Sequence, residues 1–373
     1  MTPRAPAFAS DILALFAERD APLTDIGIIQ PADPFLDMAG EDLRRRIFLT
    51  ESETGESLCL RPEFTIPVCL DHIESRAATP RRYAYLGEVF RQRREGGAEF
   101  QQAGIEDLGA ADRAEADARS LADAEALLSR LLPARRLAVT VGDQAVFEAV
   151  LSALGLPRGW QQRLVRAFGA PDMLEAAIAE FASPPGSTSL PREIAGLVAR
   201  GDEAALTRHI DEAMQAAGLS PSAGREPAEI ARRLTEKAEL RSVRLSDTAL
   251  EALKTFLAIH APLDEAEARL AAFAGEAGIV LDETLERFAA RTARIAAHGL
   301  SLSDIHYDAG FGRPLDYYTG FIFEIGTEGL AQPLAGGGRY DRLLTLLGAE
   351  TPIPGVGFSV WLDRVAALRE DTP

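Results

Sequence analysis

At 373 residues and 47% hydrophobic content, the chain is long enough for two domains, or for one domain carrying a large insertion, and it can fill a real core. Its 57 acidic against 39 basic residues give a net charge of −18, which repels a polyphosphate backbone and argues against nucleic acid as a partner. No run of about 18 apolar residues and no basic start followed by an apolar stretch occurs, so a membrane span and a signal peptide are not expected and the cytoplasm is.

In chain order, "FASDILALFAERDA" puts Phe8, Ile12, Leu15 and Phe16 on one helical stripe, with Ser10 or Asp11 near its start. "RRIFLTESETGESLCLRPE" then has two short apolar runs around a polar, glycine-containing turn, a hairpin signal. The same region holds the only cysteines, Cys59 and Cys69, which read as buried thiols in apolar surroundings. "LRPEFTIP" places Glu63 and Thr65 two apart, hence on one face of an extended chain.

A second hairpin follows. Tyr83, Tyr85, Gly87, Val89 and Arg91 alternate along its first arm, Phe100, Gln102, Gly104 and Glu106 along its second, and Gly96 and Gly97 sit in the turn. Arg81, Arg82, Arg91, Arg93 and Arg94 form a dense basic cluster, which has the size of a local anion site. A long helix is expected from about Arg113 to Leu132, and "RRLAVTVGD" returns to strand.

From about Leu154 to His298 the composition turns to Ala, Leu, Glu and Arg with helical spacing, as at Leu250, Leu253 and Leu257, and shows no strong strand signal. "ASPPGSTSLP" breaks this helical block as a flexible connection. Strand character resumes at "RPLDYYTGFIFEI", where Tyr317, Thr319, Phe321 and Phe323 share one side of a pleat. "LAGGGRYDRLL", Leu334 to Leu344, looks like a glycine-rich loop opening onto a helix, but it lacks the Lys and Ser/Thr of a P-loop. "PGVGFSVWLDRVAAL" reads as a strand running into a helix. The five histidines are scattered without metal-ligand spacing, so neither a metal nor a cofactor is expected.

Carboxylates, a Gln, tyrosines and arginines gathered on one sheet face suit an amino acid: carboxylates take its ammonium, and an arginine takes its carboxylate at two points. Glu63, Thr65, Arg91, Gln102, Glu106, Arg313, Asp316, Tyr317, Tyr318, Arg339 and Tyr340 are the candidates. Each alone also fits a strand that turns its polar face to water.

Their order and wording go further. "LRPE.T", "VFR" followed by "EF.Q.G.E", "R.LDYYTG..FE", "GGGRYD.L" and "GVGF....DR" resemble, in that order, the class II histidyl-tRNA synthetases, from about Pro31 to Arg364 apart from the helical block. The resemblance implies an α+β fold, a class II synthetase-like antiparallel sheet flanked by helices. The core would comprise residues 1–153 and 299–373, with 154–298 as an inserted helical domain and a dimer formed through the region of Pro31. It assigns Glu63, Thr65 and Gln102 to the backbone of histidine, and Glu106 and Tyr318, with Tyr317 and Tyr340, to the imidazole. Arg313 would face the histidine carboxylate, Arg91 the α-phosphate of ATP, and Arg364 the rest of the ATP site.

The chain also departs from that pattern. Nine residues follow Arg364, too few for the anticodon-reading domain of the synthetases, which argues against a tRNA partner. Arg93 stands where the family has a carboxylate that helps hold adenine, and the hairpin turn is shorter. Trp361 stands where the family has a glycine beside the adenine, and an indole there obstructs the ring. Phe64 and Pro314 likewise replace glycines. A preserved amino-acid side beside a damaged nucleotide side resembles the synthetase-like regulatory subunits that partner the short-form ATP phosphoribosyltransferase catalytic subunit. That likeness implies a non-catalytic role in the first step of histidine biosynthesis, with histidine as effector and Arg91 and Arg364 as a vestigial anion site. An active enzyme that forms histidyl-adenylate for a non-tRNA acceptor is the alternative, and a free-standing histidine sensor is a second.

Overall fold

The computed structural model describes residues 6–38, 41–93, 97–182, 191–217, 226–242, 246–313, 315 and 317–370. Arg94, Gly96, most of the polar break (183–190), Pro314 and Asp316 lie outside them.

Helix α1 (Ala9–Glu18) buries the expected stripe of Ile12, Leu15 and Phe16. Strand β1 (Ile29–Pro31) leads to two short helices, α2 (Asp33–Met38) and α3 (Glu41–Arg44). The first hairpin, β2 (Leu49–Glu51) and β3 (Ser57–Leu60), joins β1 in a three-stranded sheet of order β1-β3-β2. Helix α4 (Thr65–Glu74) precedes the long second hairpin, β4 (Arg81–Phe90) and β5 (Glu99–Leu108). Its register sets Tyr85 opposite Gly104 and Gly87 opposite Gln102, so the alternation read from the sequence holds.

Helix α5 (Arg113–Leu131) packs across one face of the main sheet. Asp112 caps its start by accepting the Glu115 N–H at 3.1 Å, in the spacing of a capping box. Strand β6 (Leu137–Asp143) runs into α6 (Gln144–Ala153), and the helical block continues as α7 (Arg158–Ala167), α8 (Pro171–Ala182), α9 (Arg192–Ala199), α10 (Glu203–Ala216), α11 (Pro227–Ser242) and α12 (Asp247–Leu257). After β7 (His260–Pro262) come α13 (Leu263–Ala277), α14 (Asp282–Ala297), β8 (Ile305–Asp308), β9 (Phe321–Thr327), β10 (Ala335–Arg339), α15 (Leu343–Leu346), β11 (Gly355–Trp361) and α16 (Leu362–Glu370). The main sheet has the order β4-β5-β11-β10-β9-β6-β8-β7, antiparallel except for the β6–β8 pair. The fold is thus α+β, a mixed sheet flanked by helices.

Four expectations need correction. The glycine-rich segment is not a loop: β10 is a buried central strand between β9 and β11, and its backbone ladder rather than its side chains holds it. Strand β9 starts at Phe321, so Tyr317 and Thr319 lie in a turn before it, where the Thr319 N–H reaches Arg339 O at 2.8 Å. Thr65 begins helix α4 instead of continuing an extended chain, because the Glu63 carboxylate accepts the N–H groups of Thr65 at 2.6 Å and Ile66 at 2.9 Å and so nucleates the first turn.

The helical block, finally, divides in two. Helices α9 to α11 close a small core of their own around Leu206, Ile210 and Ala231, whereas Phe256, Leu270, Phe288 and Ile295 of α12 to α14 belong to the main core. Within the block, β7 adds to the sheet beside β8. Three residues ending in proline give no strand signal, and proline is tolerated at that position because β7 is an edge. No helix among the described residues is long and apolar enough to cross a membrane.

Candidate functional site

The open side of the central strands forms the floor of a cavity of about 260 Å³. Glu63 and Thr65 reach it from the start of α4, and Gln102 from β5. Arg313, Tyr317 and Tyr318 reach it from the turn before β9, and Tyr340 from the end of β10. Arg91, Arg364 and Trp361 form its far wall.

Glu106 lies one layer below, 1% exposed. Its Oε1 accepts the Thr65 hydroxyl at 2.7 Å and the Tyr85 hydroxyl at 3.3 Å, while Oε2 accepts the Tyr340 hydroxyl. A Cβ at Gly357, across the ladder on β11, would overlap that same Oε2, so the glycine makes the room the carboxyl occupies. Burial pushes Glu106 up to about 8 against the pull of the Tyr340 and Thr65 hydroxyls. Glu63 is raised too, by burial, despite its two backbone N–H donors. Burial thus raises both carboxyls at the floor of the cavity, and a cation bound beside them would favour their ionised form.

The opposite wall is cationic. A Cβ at Gly336 would fall on the Arg313 guanidinium, so the missing side chain on β10 is what seats this arginine. Burial works against the Arg313 charge, yet Tyr318, Glu324 and Tyr317 raise its pKa above the ordinary arginine value. Burial brings Arg91 down to about 10 against the pull of Glu63, with Arg93 and Arg313 adding like charge, and its Nε donates to Pro62 O at 2.7 Å. Gln102 Oε1, Arg313 Nε and Nη1, and Arg364 Nε are buried without a hydrogen-bond partner among the described residues. Buried polar groups are ordinarily paired, and here an acceptor and several donors around one cavity are left able to pair with a ligand that offers both a donor and an acceptor.

On the arginine side an indole enters the lining, and further cation–ring contacts lie behind it. Trp361, 7% exposed, lies under the Arg364 guanidinium at 4.5 Å and beside that of Arg313 at 5.5 Å, each measured to a ring centroid. Arg93 covers the face of Phe100 at 3.5 Å and is fixed there by Asp363 at 3.1 Å. Phe64 stacks on Tyr85 with centroids 4.4 Å apart and carries Arg61 on its other face at 4.0 Å. Among the described residues no group of three or more His, Cys, Asp and Glu side chains could hold a metal ion.

The histidyl-tRNA synthetase family model matches residues 25–365. A protein of Chelativorans sp. (strain BNC1) named ATP phosphoribosyltransferase regulatory subunit is 76% identical over 373 residues, 100% of both chains. The chain belongs to the ATP phosphoribosyltransferase regulatory subunits, within the histidyl-tRNA synthetase family. A regulatory subunit of the same name from Mesorhizobium japonicum is 68% identical over the full length of both chains. For the fold alone, a crystal structure from Bacillus halodurans C described as an ATP phosphoribosyltransferase regulatory subunit/histidyl-tRNA synthetase superposes with a TM-score of 0.65 at 19% identity, covering 96% of this chain and 77% of that one.

In this regulatory subunit-type chain Glu63, Thr65, Gln102, Arg313, Tyr317, Tyr318, Tyr340, Arg91 and Arg364 all line one cavity, and Glu106 braces its floor. Arg339 does not join them. It sits next to Tyr340 on β10 and therefore points to the other face, where Asp117 of α5 receives it at 2.7 Å. Tyr85, which the motifs do not assign, also belongs to the site: its hydroxyl joins Glu106 to Ser359 Oγ at 2.7 Å and to Phe358 O at 3.0 Å. Its place on the same strand face as Gly87 and Glu106 was the available signal.

Proposed function

We propose that this chain is a non-catalytic, histidine-binding subunit that partners a short-form ATP phosphoribosyltransferase catalytic subunit in the first step of histidine biosynthesis and lets histidine regulate that step. The observation that carries the reading is one cavity with two unlike ends. The Glu106 end keeps its hydrogen-bonded acidic floor, and at the arginine end the Trp361 indole lies against the Arg364 and Arg313 guanidinium groups. An effector works by binding two states of a complex unequally, and a cavity closed by Tyr317, Tyr318 and Tyr340 offers a part that differs between open and closed states.

A homodimer in the cytoplasm completes the proposal. Ile29, 60% exposed on β1 two residues before Pro31, is an apolar side chain on the small sheet that a second copy would cover. The test is reconstitution. The purified chain should form a complex with a short-form catalytic subunit and raise its activity, and histidine should lower the activity of the complex. A catalytic subunit indifferent to the chain would end the proposal.

The second reading, an enzyme that forms histidyl-adenylate, is favoured by the unspent donors of Arg313 and Arg364. Histidine-dependent exchange of pyrophosphate into ATP would establish it.

A further inference from the structure

Behind the cavity, between the sheet and α5, lies a line of buried charge that the proposed function does not use. Arg339 donates from Nε to Asp117 at 2.7 Å, from Nη1 to Asp341 at 2.7 Å and from Nη2 to Arg113 O at 3.0 Å. Asp117 faces Arg291 of α14 at 3.8 Å, and Arg291 donates to Asp143 Oδ2 at 2.5 Å. With its other oxygen Asp143 caps α6, accepting the N–H groups of Ala145 at 2.8 Å and Val146 at 3.3 Å. All four of Asp117, Asp143, Arg291 and Arg339 are less than a tenth exposed.

The two ends of this line explain its interest. At one end Arg339 is the neighbour of Tyr340, whose hydroxyl is on Glu106. The same arginine's carbonyl holds the Thr319 N–H at 2.8 Å, and the Asp341 N–H holds the Thr319 hydroxyl at 2.9 Å, so the turn carrying Tyr317 and Tyr318 is tied to it as well. At the other end Asp143 starts α6, through which the chain enters the helical block, and Arg291 sits on α14, through which it leaves. Arg342, beside the cavity strand, makes a second link to α6 through Glu148 at 3.7 Å.

We infer that Asp117, Arg291 and Arg339 are positioning residues that link the tyrosine walls of the cavity to the entry and exit of the helical block. The reason is electrostatic. Buried ions of this kind cannot be left unpaired without a large penalty, so a shift of Arg339 that accompanies movement of Tyr340 is followed by Asp117, then by Arg291 and Asp143, as one unit. None of the three lines the cavity. Only the ligand arm of the test rests on the histidine reading.

The experiment is hydrogen exchange on the full chain, followed in peptides covering 144–153 and 282–297. Tyr340→Phe, which removes the hydroxyl from Glu106, is expected to speed exchange in both peptides at least threefold. In an Asp143→Asn background, which keeps the capping oxygen and drops the charge, the same change should have less than half that effect. Arg291→Lys should restore the response that Arg291→Gln loses, and it serves in place of Asp143→Asn if that variant does not fold. Exchange in α6 and α14 that ignores Tyr340→Phe, or responds equally in both backgrounds, overturns the linkage. In a separate arm, saturating L-histidine should protect residues 335–342, α6 and α14 in the unaltered chain, but only residues 335–342 in Asp143→Asn. Absence of protection anywhere in the unaltered chain would refute the histidine reading, and the Tyr340→Phe arm would still decide the linkage.

Discussion

Replacing Glu106 by Gln separates what this residue does for binding from what it costs the fold. The carboxyl is raised to about 8 from an ordinary value of 4.5, with burial as the main cause. Because the folded state holds its proton more tightly than the unfolded one, the associated stability is fully present at low pH and is lost as pH rises through 8. Linkage puts the loss between pH 6 and pH 8 at about 2 kcal/mol, and over the whole interval from 4.5 upward at about 5 kcal/mol.

Gln keeps the shape and one acceptor oxygen but cannot ionise. Urea unfolding at pH 6 and pH 8 should therefore show Glu106→Gln less sensitive to pH than the unaltered chain by about 2 kcal/mol. Asp117 and Glu324 are also raised by burial but are common to both proteins and cancel in the comparison, whereas Glu63, whose charge helps raise Glu106, titrates with it and its response belongs to the measured difference. In the same samples, calorimetry should show histidine binding weakened by about 1.5–3 kcal/mol, the worth of a hydrogen bond to a charged group. Parallel pH profiles for the two proteins would refute the argument that burial holds this proton, and unchanged histidine affinity would refute its place in the site.

Two neighbouring glycines should behave oppositely. Gly336→Ala pushes only the far end of Arg313, so stability should move by less than about 1 kcal/mol while histidine affinity drops at least tenfold, whereas Gly337→Ala overlaps the Gly357 carbonyl and should cost about 1–3 kcal/mol in urea unfolding. Trp361→Gly combined with Arg93→Glu removes the indole at the arginine end and the Arg93–Asp363 pair, and calorimetry should then show tighter ATP binding than in the unaltered chain; equal ATP affinity in the two proteins would show that these side chains are not what obstructs the nucleotide. Tyr85→Phe deletes a hydroxyl shared by Glu106, Ser359 and the Phe358 carbonyl, and thermal unfolding should register a loss of about 1–3 kcal/mol.

Much of this was legible in the sequence. The alternation of Tyr83, Tyr85, Gly87 and Val89 against Phe100, Gln102, Gly104 and Glu106 fixed which side chains share a face, because successive side chains on a strand point to opposite sides. The helical period located α1 and α5, and the order of five short motifs pointed to the family before any contact was known. For the same reason Gln102 and Tyr340 could be expected in one pocket although they lie far apart in the chain.

Tertiary structure decided what local pattern does not encode. "AGGGR" carries no strand propensity, and it becomes a central strand because β9 and β11 supply its hydrogen bonds while Arg313 and Phe323 occupy the space its side chains vacate. Glu63 became a helix cap rather than a strand residue because its carboxylate found the N–H groups of Thr65 and Ile66. Arg339 went to the far side of the sheet to meet Asp117, and "HAP" became a strand only because β8 offered an unpaired edge. Periodicity reports the direction of a side chain within its own element, whereas its partner is a contact across the fold, and charge and empty volume are settled only there.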